Sequence, residues 1–187
     1  MGRPLYVDLD ATLIDSEVDA LGNVTKIHAR PGVGRFLEKL SRHGDLFLLT
    51  HAMRDHVKNA FRVLGKPTKL FLDVISREDM TPVIDQVEVL LQDNRLTSQE
   101  RGMLYQEIAP IAPRGYIFDD QEVGSYLYLV KTAAVGARPK EWIQVKAFQH
   151  GTTSGNALET AYREYLRRAM GPRTTTLSGR WAKSFSG

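Results

Sequence analysis

Three short apolar runs, each cut off by acidic or hydroxyl residues, most constrain what this chain can fold into. Leu5-Tyr6-Val7 runs into Asp8 and Asp10, Leu46-Phe47-Leu48-Leu49 into Thr50, and Gly115-Tyr116-Ile117-Phe118 into Asp119-Asp120. Between the first two, Val33, Phe36, Leu37 and Leu40 recur at the i, i+3, i+4, i+7 spacing of one helical face, and beyond Thr50 the residues Val57, Ala60, Phe61 and Leu64 repeat it. Strand, helix, strand, helix is the rhythm of a parallel sheet. In such a sheet ligands collect beyond the carboxyl ends of the strands, so polar residues far apart in sequence can converge there.

The rest of the chain fills in around this rhythm. The first strand is expected over Leu5 to Asp10, and the polar stretch Ile14 to Arg30 carries a hairpin turn at Leu21-Gly22-Asn23-Val24. Pro31 suits a first helical turn and Gly44 a helix end. Leu70 to Ile75 reads as a strand, Val83 to Leu91 as a helix, and Thr97-Ser98-Gln99-Glu100 as a capping box opening a helix to Ile108. Tyr126 to Val130 reads as a strand. Asn156 opens a helix whose face, Leu158, Tyr162, Tyr165, Leu166 and Ala169, runs to Gly171-Pro172.

A chain of 187 residues fits one domain, assigned here to residues 1–171, with 66–114 as an insertion able to form a small lid and 172–187 as a flexible basic tail. With 42% hydrophobic and 25% charged residues the composition is that of a soluble globular protein, and no apolar run is long enough to cross a bilayer. The start, Met-Gly-Arg-Pro, lacks the apolar core of a signal peptide. The absence of Cys excludes disulfides, thiolate metal sites and cysteine nucleophiles, and the expected location is the cytoplasm. From Gly151 onward six basic residues face two acidic ones, Glu159 and Glu164, so the positive charge sits at the C-terminal end, as a solvated tail or as a nucleic-acid contact.

Residues alternate faces along a strand, so a strand reaching Asp10 would project Asp8 and Asp10 to one side with Leu9 in the core. Two adjacent carboxylates stay ionised together only beside a cation. Oxygen ligands without Cys or His favour magnesium over zinc. Taken alone, such an acidic strand end also serves as a helix cap or a calcium site, and Thr50 alone would be read as a helix N-cap.

Asp8-Leu9-Asp10-Ala11-Thr12-Leu13 behind an apolar strand resembles the first motif of the haloacid dehalogenase-like (HAD) superfamily of phosphotransferases. Ala29-Arg30-Pro31-Gly32 leading into the first helix, Leu48-Leu49-Thr50, Ser76-Arg77-Glu78-Asp79 and Phe118-Asp119-Asp120 are similar to its RNA polymerase CTD phosphatase-like branch, also called NLI-interacting-factor-like, over residues 4 to 130. The resemblance implies an α/β fold with a three-layer doubly wound parallel sheet (HAD-like, Rossmannoid), a small or absent cap, and a magnesium-dependent phosphomonoester hydrolase. Its open site would suit a macromolecular or extended phosphorylated substrate.

Each residue type fits that chemistry. Asp8 would attack phosphorus and carry an aspartyl phosphate. Asp10 would protonate the leaving alkoxide and later deprotonate water. Mg2+ would be held by Asp8, the Asp10 carbonyl, and Asp119 or Asp120, while Thr50, Thr12 and Arg77 would bind the phosphate. One departure stands out: the Lys that members of the branch carry between the second and fourth motifs is missing, because no Lys occurs from Leu70 through Val130. Arg77, Arg95, Arg101, Arg114, Lys69 and Lys131 are the candidates to replace it. The alternatives are a nucleotide or polynucleotide-end phosphatase, using the basic C-terminal segment, and a catalytically weak phospho-ligand binding module on the same fold.

Overall fold

The computed structural model describes residues 2–152 and 156–171. In chain order its elements are β1 (Leu5–Val7), β2 (Ile14–Val18), β3 (Val24–Ala29), α1 (Val33–Ser41), β4 (Leu46–Leu49), α2 (Arg54–Leu64), β5 (Phe71–Ile75), α3 (Arg77–Gln92), α4 (Ser98–Tyr105), β6 (Tyr116–Asp119), α5 (Tyr126–Ala134), β7 (Trp142–Gln144) and α6 (Ala157–Met170). One five-stranded parallel sheet, in the order β5-β4-β1-β6-β7, forms the middle layer. The chain winds outward from β1 through β4 to β5, then returns to the other side of β1 for β6 and β7. The carboxyl end of β1 is therefore the point where strand order reverses, the ligand crevice of a doubly wound sheet.

The period-two alternation of the strands splits the core into two halves. Leu5, Val7, Leu46, Leu48, Tyr116 and Phe118 face α1, α2 and α6, where Phe36, Leu37, Leu40, Ala60 and Tyr165 are buried against them. Tyr6, Leu49 and Ile117 face the other way and meet Met80, Val83 and Val87 of α3 and Tyr128, Val130 and Ala134 of α5. The start of β1 is squeezed between its neighbours. A methyl group at Gly44 would collide with the Arg3 carbonyl, and one at Gly115 with the Pro4 carbonyl.

Several expectations need correction. β1 ends at Val7, not Asp10, because Leu13 and Ile14 donate their N–H groups back to the Leu9 carbonyl and wind the chain into a turn. Tyr126–Val130 is not a strand but the first part of α5, opened by Ser125, whose hydroxyl accepts the Tyr128 N–H. No residue from Ser125 to Val135 is exposed, so the helix has no polar stripe to betray its period. α3 starts at Arg77 rather than Val83, behind a Ser76–Asp79 capping box, and α4 stops at Tyr105. β7 has no counterpart among the sequence expectations. Residues 66–114 supply β5 and α3, which belong to the sheet and its covering layer. The tail 172–187 lies outside the described residues. The only segment between the first motif and α1 is the β2–β3 hairpin, turned at Asp19–Asn23, where Asp19 accepts the N–H groups of Leu21 and Asn23. Among the described residues no helix is long and apolar enough to cross a membrane.

At the opposite end of the sheet Glu141, just before β7, is buried. Arg114 holds it through two hydrogen bonds of 2.8 and 2.6 Å, Arg3 adds an ion pair, and the Arg138 N–H donates at 2.8 Å. Burial alone would raise its pKa, but these partners outweigh burial and hold the carboxyl down at about 2. A depressed folded-state pKa stabilises the fold above the ordinary value of 4.5, and the contribution is lost as pH falls toward 2. Glu141→Gln is expected to cost about 1–3 kcal/mol at neutral pH, with the gap to the unmodified protein closing between pH 4.5 and 2, as read by urea unfolding across that range.

Candidate functional site

Three neighbouring strands, β4, β1 and β6, end side by side. Val7 is level with Leu48 and Phe118, so the residues that follow, Asp8, Thr50 and Asp119, emerge at one edge of the sheet. Parallel strands lie about 4.8 Å apart, which brings Asp8 against Asp119 with no help from the sequence between them. The Asp8 N–H donates to the Phe118 carbonyl at 2.9 Å and locks that level.

Asp8, Asp119 and Lys131 form a dry cluster, 4%, 0% and 2% exposed. The Lys131 ammonium donates to Asp8 Oδ1 at 2.7 Å and to Asp119 Oδ2 at 2.5 Å. Asp120 stands beside them, and one oxygen from each of Asp8, Asp119 and Asp120 lies within 4.8 Å of the others. Burial pushes the Asp8 carboxyl well above its ordinary range, Lys131 pulls it back, and Asp119 and Asp120 push it further up. Burial and the Asp119 charge also raise Asp120, to about 6. Burial alone would lower the Lys131 ammonium, but Asp8 and Asp119 reverse that and raise it. Three carboxylates against one ammonium leave an excess of negative charge, which a divalent cation would neutralise. The donor set fits such an ion: all-oxygen ligands, and a buried Asp120 Oδ1 without a hydrogen-bond partner.

Asp10 is in a different place. Ala11 adopts a left-handed φ of 56°, and in the turn it makes the Asp10 side chain is 45% exposed, unlike the members of the dry cluster. There His56, on the first turn of α2, approaches Asp10 Oδ1 at 2.8 Å, and the Ser16 hydroxyl donates to the same oxygen at 3.4 Å. The Asp10 hydrogen bond raises the His56 pKa against the opposing effect of burial. The turn itself is clamped by buried Arg30, whose guanidinium donates to the carbonyls of Thr12 (2.9 Å) and Lys146 (2.6 Å), while the Phe148 N–H donates to the Ala11 carbonyl.

Thr50 is buried, and its hydroxyl accepts the Ala52 N–H at 3.1 Å. It shapes the turn into α2 rather than capping the helix, whose N-cap is Met53. The Thr12 hydroxyl is buried with no partner. Arg77 is exposed at the start of α3, its N–H bonded to the Ala52 carbonyl, and its charge, after burial, helps lower the pKa of His51. Among the cations weighed from the sequence, Lys131 is the one that reaches Asp8, from a helix after the fourth motif instead of before it. His56 was missed. Its signal was its place six residues beyond Thr50 at the start of a helix, but nothing in the sequence ties it to Asp10.

Lys131→Met is expected to destabilise the fold by about 3–5 kcal/mol, the cost of stripping one partner from a buried pair. Urea unfolding at pH 7 measures it. Added Mg2+ should raise the thermal midpoint of the unmodified protein and leave an Asp119→Asn, Asp120→Asn variant unmoved.

Residues 4–98 match the family model described as NLI interacting factor-like phosphatase. No curated protein sequence matches the chain. Among solved structures, the RNA polymerase II CTD phosphatase Fcp1 aligns over 90% of this chain and 48% of its own, with 18% identity and a TM-score of 0.49. The fission yeast Fcp1 CTD phosphatase bound to beryllium fluoride aligns over 90% and 50%, with 17% identity and a TM-score of 0.46. A putative beta-phosphoglucomutase from Thermotoga maritima aligns over 90% and 98%, with 14% identity and a TM-score of 0.46. The chain spans about half the length of the first two.

Proposed function

Because the chain belongs to the NLI interacting factor-like phosphatase family, we propose that it hydrolyses phosphomonoesters with Mg2+, through an aspartyl phosphate on Asp8. The observation that carries this reading is the buried Lys131 bridging Asp8 and Asp119 beside Asp120. It supplies the cation that the stretch from Leu70 through Val130 lacks a Lys to provide, and so favours a catalyst over a module that only binds.

In the first step an Asp8 carboxylate oxygen forms a bond to phosphorus as the phosphorus–ester oxygen bond breaks, and Asp10 gives its proton to the departing alkoxide. In the second, water attacks the phosphorus of the acyl phosphate, Asp10 takes the water's proton, and Asp8 leaves as carboxylate with inorganic phosphate released. Lys131 holds the Asp8 carboxylate in place and offsets charge around the phosphoryl group. Thr50, at the end of β4, and Thr12, in the turn after Asp10, are both buried and offer hydroxyls to the phosphoryl oxygens. Mg2+, held by Asp8, the Asp10 carbonyl and Asp119 or Asp120, would screen the repulsion between the anionic nucleophile and the phosphate.

The differing surroundings of the two carboxylates suit this division of labour. Asp8 is dry and paired, as an oriented nucleophile requires. Asp10 is open to solvent, where a leaving group and a water must both pass. The small β2–β3 hairpin is no enclosing cap, which favours a phosphate borne on a macromolecule or another extended substrate.

Asp8→Asn is expected to lower the turnover of an aryl phosphate by at least about a thousandfold, and chelation of Mg2+ should abolish it reversibly. A phosphate-release assay with a fold check by circular dichroism reads both. Full activity in Asp8→Asn would sink the mechanism.

A further inference from the structure

We propose that His56 is a positioning residue for Asp10, holding one oxygen of that carboxyl so that the other carries the proton exchanged with leaving group and water. The inference rests on the acid/base reading of Asp10 given above.

Among the described residues both hydrogen bonds to the Asp10 side chain fall on Oδ1, from His56 Nε2 at 2.8 Å and from Ser16 at 3.4 Å. Oδ2 accepts no hydrogen bond among the described residues and, on a side chain 45% open to solvent, is the oxygen left free to exchange a proton. A carboxylate can only accept, so Nε2 carries the hydrogen of this bond. The same bond survives when Asp10 is protonated, because a carboxylic acid with its hydrogen on Oδ2 still presents Oδ1 as an acceptor. His56 therefore selects which oxygen is acidic, and in the same rotamer serves both half-reactions. Without it a half-exposed Asp10, 45% open to solvent, would sample other rotamers and spend less time in the productive one.

The support beneath His56 is rigid. Val57, Ala60 and Leu64 are buried and fix the rotation of α2 about its axis. The start of the helix is tied to α3, since the Arg54 N–H donates to the Glu78 carboxylate at 3.0 Å and the Arg54 side chain pairs with Asp79. The Thr50 hydroxyl sets the turn that leads into it. His56 itself is only 16% exposed, so its ring is held on most sides. The first and second motifs are thus joined through a side chain that lies outside both.

The test compares turnover of an alkyl phosphate, whose poor leaving group needs a proton, with that of 4-nitrophenyl phosphate, whose good one does not. It uses the full chain with Mg2+. His56→Ala is expected to lower kcat about tenfold on the alkyl ester and less than about twofold on the nitrophenyl ester, within the range of acid catalysis, with KM unchanged. His56→Gln, which keeps an N–H donor at a similar reach, should recover most of the loss. Equal losses on the two esters, no loss on either, or no rescue by Gln overturns the proposal. Asp10→Asn separates the premise from the inference: a leaving-group-dependent loss there supports Asp10 as acid, and its absence removes the premise and the proposal together.

Discussion

The ion triad of Asp8, Lys131 and Asp119 is the contact on which the working end of this protein depends. Each member is almost fully buried, and any one of them unpaired would be a desolvated charge. The triad ties together β1, β6 and α5, three elements that share no local sequence. Because Lys131 reaches both carboxylates, the two strand ends and the helix above them must keep one fixed spacing. The same spacing brings Asp120 alongside and creates the surplus of negative charge that a divalent cation would balance. Stability and the proposed function pull in different directions here: a core of plain apolar residues would cost less, but it would not hold the carboxylates that the proposed chemistry uses.

A second constraint separates two carboxylates only two residues apart. Strand geometry alone would have sent Asp8 and Asp10 to one side in like surroundings. The turn at Ala11, clamped by Arg30 and by the Phe148 amide, breaks the strand immediately after Asp8 and gives each carboxylate its own environment. One is dry and faces a lysine. The other is half-wet and faces a histidine and a serine. Arg30 is the residue of the Arg-Pro-Gly turn ahead of α1, so the motif that starts the first helix also secures the turn after Asp10.

Much of the architecture was legible where periodicity was clean. α1 and α2 were readable because their apolar residues repeat at helical spacing against a polar remainder, and β4 and β6 because they are apolar runs with sharp polar ends. α5 was not. Tyr126-Leu127-Tyr128-Leu129-Val130 is apolar on all sides because the helix lies covered along its whole length, and an apolar run without a polar stripe reads equally as strand. Misreading α5 also left Lys131 as one of six candidate cations, with nothing to single it out as the one on the buried face of a helix. β7, only three residues long, offered too short a pattern to register.

By itself, then, the sequence determined the alternation of strands and helices from β1 through α2, the family, and the placing of Asp8, Thr50, Asp119 and Asp120 where apolar runs end. Those features are local: each is written in a few adjacent residues whose pattern dictates an element or marks its end. The tertiary structure alone decided which cation meets Asp8, which imidazole meets Asp10, and that the two neighbouring carboxylates occupy different surroundings. These are contacts across 123 and 46 residues of chain. Their partners are chosen by strand order, by the turn at Ala11 and by the rotation of α2 and α5 on the sheet, none of which any short stretch of sequence encodes.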